Sequence, residues 1–107
     1  LSKMNERGQI KGCVIDGPLS MDLSISEHSV KHKGVISPVA GHADILLMPN
    51  LQAGNIFWKT MTYMAGAQSG AVIMGTSKPA VLTSRADSAD AKVNSMALAM
   101  MLGTLYD

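Results

Sequence analysis

The fold class that this sequence predicts is α/β, with a parallel or mixed sheet flanked by helices. Short apolar runs alternate along the chain with longer segments of helical periodicity, and this alternation is typical of α/β proteins. The runs lack alternating polar residues, as expected of strands covered on both faces. Polar, glycine-containing segments follow them, where such sheets bind their ligands.

Four apolar segments are predicted strands and three amphipathic segments are predicted helices. The predicted strands lie in residues 13–19, where the run closes with a sharp turn at Asp-Gly-Pro, and in residues 43–49, 70–75 and 80–83. The predicted helices are residues 20–34, 50–67 and 88–106. Ser20 is a candidate cap for the first helix and Gly34 its C-terminal stop, and Gly66 is the expected end of the second.

Composition and charge exclude several classes of protein. The chain has 107 residues, 47% of them hydrophobic, and a net charge of +1, which predicts a globular protein without a basic surface for nucleic acid. No signal peptide and no membrane-spanning apolar run is present. Cys13 is the single cysteine, which excludes an internal disulfide and favours a cytoplasmic location. The opening "LSKMNERGQIKG" resembles the tail of a helix, so we expect a C-terminal segment of a longer protein; a trimmed small protein is the alternative.

The segment "TSRADSAD" has the composition of an anion site. Ser84 and Arg85 directly precede a predicted helix N-terminus, whose free N–H groups and partial positive charge favour anions. A guanidinium binds phosphate or carboxylate through two parallel hydrogen bonds. Asp87 and Asp90 supply carboxylates as candidate bases. In the structural alternative, Asp87 or Ser88 only caps the helix, Asp90 faces its dipole, and Arg85 is a surface charge.

The segment "PNLQAGN" repeats this layout at the preceding helix. A predicted strand ends at Pro49 and Asn50 is the expected cap. Asn55 and Lys59 are four residues apart and therefore share a helix face, which makes both candidate substrate-binding residues. The alternative is a capped helix with a solvated lysine.

The remaining polar residues indicate no metal or nucleotide site. His28 and His32 have i, i+4 spacing, but the glutamate of a zinc-protease motif is missing. Lys31 and Lys33 beside them predict a solvated face. Cys13 lies in an apolar run without a partner base, so we expect a buried thiol. No glycine-rich phosphate loop is present.

Three separated motifs resemble the C-terminal part of the phosphate acetyl/butyryltransferase family. They are "DGPLSMD", "SPVAGHADILLMPNLQAGNIFWKTMTYMAGA" and "KPAVLTSRADSADAKVNSMALA", in that order and spacing. The similarity extends from about Gly12 to Met101. "TSRADS" stands where the acetyl enzymes usually have "LSRG", and resembles the butyryl branch more closely.

The resemblance implies reversible transfer of an acyl group between coenzyme A and inorganic phosphate, with coenzyme A as substrate and no metal or other cofactor. It also implies an isocitrate/isopropylmalate dehydrogenase-like fold of two domains and a homodimer. Residues 1–79 would belong to the second domain, and residues 80–107 would return to the first. By this similarity Arg85 binds the phosphate or acyl phosphate and Ser84 orients or stabilises the sulfur of coenzyme A.

One departure from the family concerns the general base. By the resemblance, the aspartate that the acetyl enzymes use as general base toward the thiol would fall at the position that Ala91 occupies here. Asp90, one residue earlier, is the first candidate to replace it and Asp87 the second; the alternative is that this branch handles the thiol in another way. The family's anion-binding arginines belong to its N-terminal region, so we expect the 107-residue chain alone to be inactive.

Two other classes compete with this interpretation. A non-catalytic module that binds coenzyme A or acyl phosphate would explain Ala91. A metal-dependent decarboxylating dehydrogenase shares the fold type, but the paired-aspartate metal motif and the nucleotide fingerprint are missing from the sequence.

Overall fold

The computed structural model describes residues 1–105, which form five helices joined by irregular segments. The helices are α1 (Ser2–Glu6), α2 (Met21–Ile25), α3 (Glu27–Lys33), α4 (Leu51–Tyr63) and α5 (Ala89–Gly103). The predicted end of the last helix, at Tyr106, lies outside the described residues.

The predicted helix over residues 20–34 is divided in two by Ser26. The backbone of Ser26 is extended, with φ −125° and ψ 108°, and its hydroxyl accepts a hydrogen bond from the Ser29 N–H at 3.3 Å. Ser26 therefore caps α3 and interrupts the helix, because its side chain satisfies a backbone donor that has no partner in the first turn. Gly34, at φ 62°, ends α3 in the left-handed conformation as predicted.

Helix α4 begins as predicted and ends earlier than predicted. The Asn50 side chain accepts a hydrogen bond from the Ala53 N–H at 2.8 Å, which is the expected cap. The helix stops at Tyr63, before Gly66. Gly66 adopts φ 66°, and the Ala67 N–H donates to the Met61 carbonyl at 2.9 Å. The glycine thus closes the turn that follows the helix.

The predicted parallel sheet does not form among residues 1–105. None of the four predicted strands takes part in a β-ladder, and the single pairing there is an isolated antiparallel bridge between Ile73 and Ala80. The Ile73 N–H donates to the Ala80 carbonyl at 2.8 Å. Apolar periodicity predicts that a segment is buried, but a strand also needs a neighbouring segment to pair its backbone groups. The prediction of strands was therefore wrong for the described residues.

The chain divides into two compact units, Leu1–Met48 and a second that begins at Pro49. In the first unit, Ser24 and Ala40 are buried. The Gly41 N–H donates to the Leu23 carbonyl at 2.8 Å. A Cβ on Gly41, whose φ is 84°, would lie 3.2 Å from the Glu27 backbone. This contact brings residues 40–43 close to α2 and α3. The domain boundary expected at residue 79 concerns the family's larger architecture and stays a prediction.

In the second unit, the segment before the bridge packs against α5. Ser95 is 3% exposed, and its hydroxyl accepts from the Ala71 N–H at 2.9 Å while donating to the Ala91 carbonyl at 2.7 Å. The Asn94 side chain donates to the Ser69 carbonyl at 3.3 Å. A Cβ on Gly70 would lie 3.1 Å from the Cβ of Asn94. These contacts fix residues 69–71 beside the first turns of α5.

Many large apolar side chains of the described residues are exposed. Several of the most exposed lie in or beside the predicted strands, including Ile45 (85%), Leu47 (76%) and Leu82 (81%). Exposed apolar surface on this scale is characteristic of segments that bind a further polypeptide. None of the helices in residues 1–105 has the length and apolar character needed to cross a membrane.

Candidate functional site

Residues 84–87 form a tight turn that ends at the N-terminus of α5. The Asp87 carboxylate accepts a hydrogen bond from the Ser84 N–H at 2.7 Å, and the Asp87 N–H donates to the Ser84 carbonyl at 3.2 Å. The Ser84 hydroxyl accepts from the Ala86 N–H at 3.4 Å. Arg85 lies at the tip of this turn, exposed and without an ion pair to any residue in the described range. Its guanidinium is therefore available to an anion.

The cap of α5 is Ser88. Its backbone is extended, with φ −62° and ψ 161°, and its hydroxyl accepts a hydrogen bond from the Ala91 N–H at 3.1 Å. Of the two candidate caps, Ser88 therefore fills this role and Asp87 closes the preceding turn. Asp90 lies in the first helical turn and is exposed, where its charge is favourable to the helix dipole. The capping that the structural alternative expected is therefore present, and it uses the side chain of neither Arg85 nor Asp90.

A cavity of about 320 Å³ opens beside this helix end. Its walls come from the end of α4, the segment after α4, the turn before α5 and the first turns of α5. The lining residues are Thr62, Tyr63, Gly66, Ala67, Gln68, Ser69, Ala86, Asp87, Ser88, Asp90, Ala91 and Asn94. Among the described residues, Asp87 and Asp90 are the only Asp, Glu, Lys or Arg residues in this lining. The structure thus brings both predicted base candidates to one cavity, with Ala91 beside them.

The other predicted site residues lie outside the cavity lining, some beside the cavity and some on α4. Ser84 and Arg85 belong to the turn that forms part of its wall, but they are not in the lining. Asn55 and Lys59 are exposed on α4. The Lys59 ammonium lies 5.8 Å from the ring centre of Tyr63, a cavity residue. Lys59 is thereby connected to the site, and no contact of the described residues connects Asn55 to it.

Sequence reasoning missed Thr62 and Tyr63. The Thr62 hydroxyl oxygen is shielded from solvent and has no hydrogen-bond partner among the described residues. A buried polar atom without a partner is uncommon in folded proteins and calls for an explanation. The sequence offered no distinct signal, because α4 also contains the polar residues Gln52, Lys59 and Thr60.

Asp22, from the motif "DGPLSMD", has a structural role. The Lys33 ammonium lies 2.6 Å from its carboxylate, and the Ser20 hydroxyl donates to it at 2.7 Å. These hydrogen bonds lower the pKa of Asp22 to about 2, and the bond from Lys33 has the larger effect. Ser20 therefore binds the side chain of Asp22, and it makes no side-chain cap to the backbone of α2.

The histidines and the cysteine do not join the site. His28, His32 and His42 are all exposed, as the neighbouring lysines predicted, and the rings of His28 and His32 stack at 6.2 Å. Within residues 1–105 no group of three His, Cys, Asp or Glu side chains could hold a metal ion. Cys13 is exposed, so the prediction of a buried thiol was wrong. Its apolar run forms no strand, and nothing in the described residues covers it.

The sequence profile of the phosphate acetyl/butaryl transferase family matches residues 1–100. The chain belongs to this family. It is 57% identical over 102 residues to a phosphate butyryltransferase of Clostridium acetobutylicum, covering 95% of this chain and 34% of that protein. It is 54% identical over 98 residues to a phosphate acetyltransferase of Thermotoga maritima, covering 92% and 33% respectively. The resemblance seen in the sequence motifs is thereby confirmed.

Structural comparison agrees with the sequence comparison. The structure is similar to the crystal structure of a branched-chain phosphotransacylase from Enterococcus faecalis, with a TM-score of 0.74 and 45% identity. The match covers 81% of this chain and 33% of that one. The chain spans about a third of the length of the curated relatives it matches. The described residues thus share the fold of part of a phosphotransacylase.

Proposed function

We propose that this chain supplies part of the active site of an acyl-CoA:phosphate acyltransferase. The reaction is acyl-CoA plus phosphate to acyl phosphate plus coenzyme A, with coenzyme A as substrate and no resident metal or cofactor. The observation that carries the proposal is the placement of the Ser84–Arg85 turn directly before the capped N-terminus of α5, beside a cavity that contains Asp90. The names of the relatives, phosphate butyryltransferase and phosphate acetyltransferase, describe this class of transfer.

In this proposal Arg85 binds the attacking phosphate. The turn is closed by hydrogen bonds of 2.7 and 3.2 Å between Ser84 and Asp87, which restrict the backbone that carries the guanidinium. Two parallel N–H···O bonds fix the orientation of a phosphate as well as its position. The free N–H groups at the start of α5 add a partial positive charge to that of the Arg85 guanidinium. Holding the phosphate oxygen near the thioester carbonyl lowers the entropic cost of the attack.

Asp90 is the residue we propose for proton transfer at sulfur. The phosphate oxygen attacks the thioester carbonyl, the tetrahedral intermediate collapses, and the C–S bond breaks with its electron pair on sulfur. The Asp90 carboxylate takes the proton that the attacking hydrogen phosphate gives up and passes it to this sulfur, and in the reverse direction it takes the proton from the thiol and returns it to the departing phosphate. Ser84 donates a hydrogen bond to the sulfur as charge develops there. Asp87 is the weaker candidate because its carboxylate already accepts the Ser84 N–H.

We expect the complete site to need residues outside this chain. The chain spans about a third of its relatives' length, and its described residues expose apolar side chains that suit a further polypeptide surface. The family's N-terminal arginines and its two-domain, dimeric architecture therefore belong to the proposal. The 107-residue chain assayed alone should show no phosphate-dependent turnover, and measurable turnover would contradict this expectation.

The proposal is tested by phosphate-dependent thiol release from acetyl-, propionyl- and butyryl-CoA, using the complete polypeptide that contains these residues. Release that requires phosphate and is fastest with butyryl-CoA supports transfer and membership of the butyryl branch. Fastest release from acetyl-CoA would support transfer and overturn the assignment to that branch.

A second candidate function is supported by Ala91. This alanine lines the cavity, and the family resemblance puts the acetyl enzymes' aspartate at its position, so a protein that binds coenzyme A without turning it over is the alternative. Tight binding of coenzyme A, without thiol release from any of the three thioesters, would favour this alternative over the transferase.

A further inference from the structure

Both backbone polar groups of Ala91, the residue after Asp90 in α5, are bound by serine side chains. The Ala91 N–H donates to the Ser88 hydroxyl at 3.1 Å, and the Ala91 carbonyl accepts from the Ser95 hydroxyl at 2.7 Å. The first contact is the cap of α5, and the second is a bond from a helical serine to the carbonyl four residues earlier. The backbone that carries Asp90 is therefore restrained on both of its sides.

Ser95 also connects this turn to the segment that contains Ala71. Within the described part of the chain it is the one buried residue of α5, and its hydroxyl accepts a hydrogen bond from the Ala71 N–H at 2.9 Å. Gly70 leaves little room for a side chain there, because a Cβ would lie 3.1 Å from the Cβ of Asn94. The backbone of this segment therefore lies against α5, and one hydroxyl joins it to the Ala91 carbonyl.

The position of the Asp90 carboxylate depends on this backbone. Asp90 is exposed, and it forms no ion pair with another residue in the described range. Its carboxylate therefore takes its position from its own rotamer and from the first turn of α5. Proton transfer requires a carboxylate within hydrogen-bond distance of the reacting atom, and a displacement of about 1 Å can lower a rate about a hundredfold. The hydrogen bonds to Ala91 thus restrain the feature of Asp90 on which its proposed chemistry depends.

We propose that Ser95 is a positioning residue for proton transfer by Asp90. Its hydroxyl holds the Ala91 carbonyl, and with it the neighbouring Asp90, at a fixed distance from the segment that contains Ala71. The inference rests on the proposed function and adds a residue that is buried and lies outside the cavity lining. Alanine would not serve at this position, because it would leave the Ala71 N–H without its acceptor and the Ala91 carbonyl without its second donor.

The test measures kcat and KM of the complete polypeptide as wild type and with substitutions of Ser95. Ser95→Ala should lower kcat for phosphate-dependent thiol release about tenfold and leave both KM values within about twofold, because it displaces the base without removing a binding group. Ser95→Thr should retain most of the wild-type kcat, since a helical threonine makes the same bond to an earlier carbonyl. If Ser95→Ala does not fold, Ser95→Cys replaces it, because a thiol of similar size is a weak donor and acceptor.

Ser24 offers a matched control in the other compact unit. It is buried, and its hydroxyl donates to the Ser20 carbonyl at 3.1 Å, also four residues earlier in the chain. Ser24→Ala therefore removes the same kind of hydrogen bond from α2, a helix that carries none of the proposed site residues. It should keep wild-type kcat, whatever it does to the temperature of thermal unfolding.

A double-mutant cycle shows whether Ser95 acts through Asp90. Asp90→Asn alone and Asp90→Asn combined with Ser95→Ala should have the same kcat within about twofold, because a side chain that no longer transfers a proton gains nothing from correct placement. Independent roles of the two residues would instead multiply their separate losses.

The outcomes separate this inference from the proposed function. Wild-type kcat in Ser95→Ala, equal losses of kcat in Ser95→Ala and Ser24→Ala, or multiplied losses in the double variant would each overturn the positioning role and leave the transferase intact. The same holds if Ser95→Thr unfolds at the wild-type temperature but loses as much kcat as Ser95→Ala, because the hydroxyl would then not be the group that matters. A wild type without phosphate-dependent thiol release would overturn the proposed function, and the positioning role with it.

Discussion

Helices α4 and α5 begin in the same way but are preceded by different residues. Asn50 and Ser88 each accept a hydrogen bond from the N–H three residues later, at 2.8 and 3.1 Å. The four residues before Asn50 are "LLMP", and the four before Ser88 are "SRAD". Two positions after the caps, α4 has Gln52 and α5 has Asp90.

The comparison shows that capping a helix and forming an anion site have different requirements. A cap satisfies a backbone donor of the first turn, and both helices achieve this with one side chain. An anion site also needs a charged group held near the helix end. Arg85 supplies this group at the tip of a hydrogen-bonded turn, three residues before the cap of α5 in the sequence. The residue three positions before the cap of α4 in the sequence is Leu47, which carries no charge. Only the α5 terminus is therefore equipped for the proposed chemistry.

The largest expected effect is on turnover, from Asp90→Asn in the complete polypeptide. Loss of general acid–base catalysis at the sulfur should lower kcat about 10²–10⁴-fold, with little change in the affinity for either substrate. The assay is phosphate-dependent thiol release. Gln52→Ala, at the equivalent position of α4, is the matched control and should keep wild-type kcat. A wild-type rate in Asp90→Asn would contradict the assignment and direct the same experiment to Asp87.

The second expected effect is on phosphate affinity, from Arg85→Ala. Removing charge-assisted hydrogen bonds, each of about 1.5–3 kcal/mol, should raise KM for phosphate at least tenfold and change KM for the acyl-CoA far less. Initial rates over a matrix of both substrate concentrations measure the two constants separately. Arg85→Lys retains the charge without the planar pair of donors, so it should recover only part of the loss. A similar rise in both constants would indicate a folding defect.

Local features were predictable from the sequence because they depend on residues close in the chain. Asn50 and Gly34 act as predicted, since capping and left-handed termination involve neighbouring backbone groups. The division of the helix at Ser26 was missed, although it too is a local capping effect. A weak helical periodicity over residues 20–34 outweighed the serine in the prediction.

Features that depend on distant residues were predicted poorly. The strands were wrong for residues 1–105 because β-pairing depends on a partner segment that periodicity does not reveal. Cys13 is exposed because its apolar run forms no strand and no described residue covers it. The convergence of Thr62 with Asp87 and Asp90 on one cavity follows from how the end of α4 lies relative to α5. Ser95 and Gly70 help to fix that arrangement, and their spacing in the sequence gave no sign of it.

The smallest expected effect tests the shared part of the comparison, the two caps. Asn50→Ala and Ser88→Ala each remove one side-chain acceptor from a first-turn N–H, so each should lower the free energy of unfolding by about 1 kcal/mol. Denaturant unfolding of the complete polypeptide measures both. The helix ends differ in function, however: Ser88→Ala should also raise KM for phosphate, because Ser88 anchors the helix end beside Arg85, while Asn50→Ala should leave it unchanged. Equal kinetic effects of the two variants would mean that the α4 terminus contributes to phosphate binding as well, and the distinction drawn from "LLMP" and "SRAD" would be wrong.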